Sequence, residues 1–283
     1  IDVTYLGIES PPEIFARMIK TNAFDISEMS LAMYFTLKSK GRFPYIALPV
    51  FPCRVFRHSY IYVNRDADIT APRDLEGKNI GVQQYRQTAA TWIRGILQNE
   101  YHVDMSGMRF IEGGVNVSRP TDKDLDILPD KTIKIAPAPE GKSINDLLID
   151  GSVDAYFGAR QPKCYLTHDN IVRLFPNYRK EERKFFDHTG IFPIMHCLVM
   201  KEEMHIKHPW IAENMIKAFE ESKQWALDRM RFTGTIRYMV PWLNHELEEI
   251  NEMFPNGDPY PLGVEANRKT LETLMKYLGD QSF

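Results

Sequence analysis

Phe24-Asp25-Ile26-Ser27-Glu28-Met29-Ser30-Leu31 holds a strand, a cap and the first residue of a helix in one short run. Phe24 to Ser27 alternates apolar and polar side chains, as a half-buried strand does. Ser30 is a residue type that caps helices, and residues 31 to about 38 form the helix behind it. Upstream, Ile1-Asp2-Val3-Thr4-Tyr5-Leu6 alternates as a strand. Pro11-Pro12 then opens a helix, where a missing N–H costs no hydrogen bond, and Ile14, Phe15, Met18 and Ile19 form its apolar stripe. Downstream, Gly41 ends the second helix and Tyr45-Ile46-Ala47-Leu48-Pro49-Val50 reads as a buried strand. This βαβα rhythm predicts an α/β domain with a largely parallel sheet.

The rhythm then repeats. Ser59-Tyr60-Ile61-Tyr62-Val63-Asn64 is a strand candidate, and the turn-rich run at residues 71–78 marks a boundary. A second α/β set follows, with strands at Asn79-Ile80-Gly81-Val82, Met108-Arg109-Phe110-Ile111, Lys134-Ile135-Ala136, Asp154-Ala155-Tyr156-Phe157 and Val172-Arg173-Leu174-Phe175. Helices are expected from Thr88 to about Gln98 and from Ser143, and residues 112–132 read as a polar surface loop. The remainder is helical after a strand ending Cys197-Leu198-Val199-Met200: from Pro209, with Ile211, Met215, Phe219 and Trp225 inward, then at residues 243–253 and 265–278. Those helices need an apolar partner, so the expected layout returns them to the first set. Lobe 1 is then 1–64 plus 197–283 and lobe 2 is 65–196, with crossovers near 58–65 and 188–200 and a ligand cleft between the lobes.

Composition narrows the function classes. The 283 residues carry a net charge of −3 and 26% charged side chains, with no basic run suited to nucleic acid. No apolar stretch reaches the ~18–20 residues of a membrane span. The three cysteines, Cys53, Cys164 and Cys197, form neither a CxxC pair nor a disulfide framework, which favours a reduced cytoplasmic setting. No signal peptide is read at the start, and no low-complexity tract or internal repeat occurs.

Two histidines bracket Phe186-Asp187-His188-Thr189-Gly190-Ile191-Phe192-Pro193-Ile194-Met195-His196, on the expected return crossover. Histidine alone has an unperturbed pKa near neutrality, so each is a candidate proton carrier, or else a hydrogen-bonded core residue. If the run is extended, the even spacing puts both on one side.

The layout resembles the type II periplasmic-binding-protein fold. Further motifs are similar to the 4,5-dihydroxyphthalate decarboxylase family: residues 24–30; Pro49-Val50-Phe51-Pro52 with Arg54, Phe56-Arg57-His58-Ser59; Gly81-Val82-Gln83-Gln84-Tyr85 with residues 88–95; the two-histidine run; His208-Pro209-Trp210; and residues 258–268. Together they span nearly the whole chain. The resemblance implies a lyase of aromatic compound catabolism and phthalate degradation: a non-oxidative decarboxylase turning 4,5-dihydroxyphthalate into protocatechuate and carbon dioxide by protonating the ring carbon that bears the leaving carboxylate. The alternative is a solute-binding protein that hands a small aromatic anion to an importer.

Such chemistry needs an acid aimed at a ring carbon, a partner for the para hydroxyl and cations for the retained carboxylate. His188 and His196 are the acid and hydroxyl-partner candidates, with Glu28 as an acceptor. Arg54, Arg57 and His58 are candidate carboxylate contacts, since a guanidinium grips a carboxylate by two parallel hydrogen bonds. Ser30, Gln84, Tyr85, Arg86 and Thr88 line a loop and helix start suited to an anion, and Arg160 stands in reserve. No organic cofactor is required. No local motif such as HExxH occurs and no metal is assigned. The expected partner is a small aromatic carboxylate, with neither nucleic acid nor membrane; a homo-oligomer is compatible with the sequence, which shows no interface signal.

Overall fold

A computed structural model describes residues 3–119, 133–235 and 237–283. Its elements run α1 (Pro11–Thr21), β1 (Ile26–Ser30), α2 (Leu31–Ser39), β2 (Tyr45–Arg54), β3 (Ile61–Asn64), β4 (Asn79–Val82), α3 (Thr88–Glu100), β5 (Arg109–Glu112), β6 (Lys134–Pro137), α4 (Ile144–Ile149), β7 (Ala155–Phe157), β8 (Ile171–Arg173), α5 (Tyr178–Thr189), β9 (Ile194–Lys201), α6 (Glu202–Lys207), α7 (Trp210–Arg231), α8 (Leu243–Met253) and α9 (Arg268–Asp280). Two compact units result: Ile1–Met29 with Arg42–Arg54 and His196–Arg268, and Ser30–Gly41 with Val55–Met195 and Lys269–Phe283.

The first unit is built on a sheet ordered β1-β9-β2. Leu48 and Val50 of β2 and Leu198 and Met200 of β9 are buried against Ala212, with Ile211, Met215, Ile216 and Phe219 of α7 packed beside them. The spacing of those α7 residues places them on one face, which is the amphipathic stripe that seats the helix. Each such side chain, once buried, contributes about 1.5–3 kcal/mol.

The second unit holds a sheet ordered β6-β5-β4-β7-β3-β8. The β4–β5, β5–β6 and β4–β7 pairs are parallel, while β3 runs antiparallel to both β7 and β8. Period-two alternation covers both faces. Ile61, Val63, Ile80, Val82, Ala155 and Phe157 point to one core with Ala90, Ile93 and Leu97 of α3. Tyr62 and Tyr156 point to the other, with Ile144, Leu147 and Leu148 of α4. Gly81 has no side chain because Ile144 fills the space: a Cβ there would sit 2.6 Å from Ile144 Cγ2.

The units divide the chain elsewhere than at 1–64 plus 197–283 and 65–196. Helix α2 counts with the second unit, where the Thr88 hydroxyl accepts from the Ala32 N–H at 3.2 Å and meets the Ser30 hydroxyl at 2.8 Å. So does α9. The Tyr277 ring lies against Gly95 of α3 and meets Trp92 edge-on at 5.5 Å. Beyond it, the buried Arg94 donates from Nε to Gln281 Oε1 at 2.8 Å and from a terminal nitrogen to the Tyr85 carbonyl at 2.7 Å. These bonds anchor the chain's last residues to α3.

Several expected elements differ. Residues 3–6 form no strand, and Val3, Tyr5 and Leu6 are exposed. The strand expected at Phe24–Ser27 lies at Ile26–Ser30, and His58–Tyr60 is a 3₁₀ turn ahead of β3. The second sheet is mixed, because β3 enters it antiparallel. Trp225 is 62% exposed, its ring covered by the Arg229 guanidinium at 4.5 Å. The run bracketed by the histidines is not extended: α5 continues to Thr189, Gly190 terminates it at φ 66°, and β9 begins only at Ile194. Of the loop expected at 112–132, residues 120–132 lie outside the described residues.

Candidate active site

The first unit gathers its proton-carrying side chains in a row. Glu28 stands on β1, His196 on the central β9 and Cys53 on β2, one from each strand of the sheet. His196 Nδ1 lies 2.5 Å from Glu28 Oε1. The Cys53 thiol, on the flanking strand β2, is the other group that acts on the imidazole. The Phe15 ring from α1 packs edge-on against His196 at 5.0 Å. Burial by itself pushes the imidazole down; the hydrogen bonds and charges of Cys53 and Glu28 outweigh it and raise His196 to about 9. At neutral pH His196 is therefore a protonated imidazolium, still 18% exposed, beside a 32% exposed carboxylate.

Arg54 turns away from that row. It donates to Asn267 Oδ1 and, at 3.1 Å, to the Pro261 carbonyl, and lies over the Phe51 and Tyr260 rings. Burial lowers it to about 10. These contacts tie Arg54 to the loop before α9.

In the second unit, Ser30 and Thr88 meet through their hydroxyls. Ser30 holds the N-cap position of α2 but makes no cap bond, and Thr88 is the first residue of α3, behind an N-cap at Gln87. The Tyr85 ring centre lies 3.6 Å from the Arg94 guanidinium carbon, and the Tyr85 backbone N–H donates to Glu112 Oε1 at 2.5 Å. Gln84 is half-buried in the turn before α3 and Arg86 is buried there. Arg57 is buried with Nε against Met195 Sδ at 3.2 Å and its guanidinium over Tyr60. His58 is enclosed by Tyr101, Phe175 and Phe185, and burial lowers it to about 4, so it is neutral. Arg160 is exposed, and His188 is exposed on the last turn of α5.

The structure thus joins Glu28 to His196 and Ser30 to Thr88, and places His188 on a helix surface instead of a strand. Cys53 was not among the sequence candidates. It lies on a strand that continues through Pro49 and Pro52 to Arg54, beyond the strand expected at residues 45–50. Among the described residues no group of three His, Cys, Asp or Glu side chains is arranged to hold a metal ion. No described helix is long and apolar enough to cross a membrane.

Two α/β units of this composition, with helices returning to the first sheet, have the architecture of type II periplasmic binding proteins. The alkanesulfonate-binding protein from Xanthomonas axonopodis pv. citri, solved bound to MOPS, superposes with a TM-score of 0.53 over 98% of this chain and 82% of that one, at 12% identity. The periplasmic aliphatic sulphonate binding protein of Escherichia coli gives 0.51 over 96% and 79%, at 9% identity. At such identities the likeness shows the fold alone. No family model matches the chain. Sequence carries the assignment further: the chain is 37% identical over 269 residues to the 4,5-dihydroxyphthalate decarboxylase of Comamonas testosteroni, covering 95% of this chain and 81% of that protein. The chain belongs to the 4,5-dihydroxyphthalate decarboxylase family.

Proposed function

We propose that this chain is a non-oxidative decarboxylase of a hydroxylated aromatic carboxylic acid, with 4,5-dihydroxyphthalate as substrate and protocatechuate and carbon dioxide as products. Family membership supports the reaction class, and one observation carries the residue assignment: His196, held at Nδ1 by Glu28, keeps a proton at neutral pH beside solvent.

Direct loss of carbon dioxide from the ring would leave an aryl carbanion whose electron pair lies in the ring plane, outside the π system. Protonating the carbon that bears the carboxylate avoids it. His196 supplies that proton, and the hydroxyl para to the carbon releases electron density into the ring and stabilises the cation that forms. The carbon–carbon bond then breaks, its electron pair returns to the ring, and carbon dioxide departs. A positioned acid of this kind contributes about 10²–10⁴-fold in rate. Glu28 holds the imidazole in one orientation and stabilises its charge, as a carboxylate does behind a histidine elsewhere. His188 is left out of this assignment because it stands on the exposed end of α5. A cytoplasmic enzyme of phthalate breakdown fits the proposal.

The test is to incubate the purified protein with 4,5-dihydroxyphthalate and trap carbon dioxide while following protocatechuate. Equal amounts of both are expected. Tight binding of the acid with no carbon dioxide would replace the enzyme with a binding protein for the same anion.

A further inference from the structure

We propose that the outward side of the last turns of α7, with the connection from α7 to α8, is the surface on which a second copy of this chain docks about a twofold axis.

Helix geometry separates this surface from the core. Trp225 and Leu227 project about 160° apart around α7. Leu227 is buried, so Trp225 faces outward. Phe232 follows Trp225 by two turns and comes round to the same side. The inward side is fastened. Lys223 Nζ lies 2.6 Å from Asp258 Oδ2, and Arg231 donates to the Asn256 and Gly257 carbonyls at 3.2 and 2.8 Å. These bonds keep α7 from rolling to hide its outer side. Beyond the helix, every described residue from Phe232 to Trp242 is exposed. Phe232 is 54% exposed, Trp242 74%, and Met239 fully; Tyr238 and Val240 are exposed beside them. A single exposed apolar side chain is ordinary, but a contiguous group of them marks an interaction surface.

The area suits a pair of copies. Covering an aromatic side chain removes about 150–250 Å² from water. Scaled by the exposures of these six side chains, the surface offers on the order of 600 Å² per copy. Joined face to face, two copies would bury about 1,200 Å² in total, the size at which specific interfaces begin. A twofold contact covers both surfaces at once, because each copy brings the same one.

Charge points to the same partner. Residues 225–242 carry Arg229, Arg231 and Arg237 against the single acid Asp228. Helix α8, next in the chain, carries Glu246, Glu248, Glu249 and Glu252 and no lysine or arginine. A twofold axis through the apolar surface sets the basic segment of one copy against α8 of the other. Arg229 and Arg237 of one copy then meet Glu248 and Glu252 of the other, all four exposed. The same α8 carboxylates repel an anionic lipid surface, the other occupant that arginines beside exposed aromatics would suit.

Sedimentation velocity on the full chain and on Met239→Asp/Trp242→Asp tests this. Wild type is expected as an even-numbered assembly of the 32.9 kDa chain. The double variant is expected at half that mass, with the Kd for pairing raised at least about 30-fold and an unchanged far-UV circular dichroism spectrum. Glu248→Arg/Glu252→Arg is expected to weaken pairing at least about tenfold at low salt, and adding Arg229→Glu/Arg237→Glu to restore it. If the aspartate variant fails to fold, this charge-exchange set decides alone. Wild-type protein that stays monomeric at its highest soluble concentration overturns the proposal, as does an assembly that both double variants leave intact. Flotation of wild type with phosphatidylserine vesicles, lost in Met239→Asp/Trp242→Asp, would give the surface to lipid and overturn it as well.

Discussion

Replacing Glu28 by Gln removes a charge from His196 while keeping the side chain's shape. Two opposing effects fix the size of the response. Burial lowers the imidazole, and its partners raise it from the ordinary 6.5 to about 9, a net gain of 2.5 units. A hydrogen bond to a charged group is worth about 1.5–3 kcal/mol, and each pKa unit is about 1.36 kcal/mol. Losing the 2.5 Å bond to the Glu28 carboxylate should therefore lower the His196 midpoint by about one to two units. The consequence for stability has a definite sign. Folded His196 binds its proton more tightly than the unfolded chain does, so its contribution is complete below pH 6.5 and is lost as pH rises through about 9. Glu28→Gln should thus destabilise the protein by about 1.5–3 kcal/mol at pH 6 and by far less at pH 10. The assay is NMR titration of labelled histidine, assigned with His196→Gln, together with urea unfolding at the two pH values. A wild-type midpoint at or below 6.5, or a midpoint that Glu28→Gln leaves in place, would refute the reasoning.

Other outcomes follow from single contacts. His58 is lowered from 6.5 to about 4, so the unfolded chain takes up a proton between those values that the folded chain refuses. Stability should fall by about 3 kcal/mol across that window, and His58→Phe should flatten the acid limb of a urea-unfolding series; an unchanged limb counts against the buried neutral ring. Gly95→Ala would place a Cβ 2.0 Å from Tyr277 Cδ2, costing about 1–3 kcal/mol by overpacking, and a thermal midpoint equal to wild type would contradict the α3–α9 packing. His188→Ala, on the exposed end of α5, should leave turnover within threefold of wild type; a 100-fold loss would return it to the chemistry.

Much of the fold was legible because strand and helix periods differ. The second sheet follows from runs such as Asn79–Val82 and Ala155–Phe157, whose alternation also decides which side faces α3 and which faces α4. Helix α5 was not legible: Tyr178–Arg183 is dominated by charge, and its buried face is only Glu182, Phe185 and Thr189. That omission turned the histidine spacing into a false strand argument for His188. Glu28 and His196 were both visible as candidates, yet their pairing was not, since strand order within the sheet is set by contacts far apart in sequence. The unit boundaries were hidden for the same reason. Nothing local to Arg94 and Gln281 announces the bonds that carry the last residues to α3.

The most direct measurement is single-turnover release of carbon dioxide from 4,5-dihydroxyphthalate by wild type and by His196→Gln, with binding of the acid measured in both. The account predicts stoichiometric carbon dioxide from wild type and a loss of at least about 100-fold in the variant, with Kd nearly unchanged. Equal rates in the two proteins would contradict His196 as the acid, and binding without carbon dioxide in wild type would contradict the decarboxylase itself.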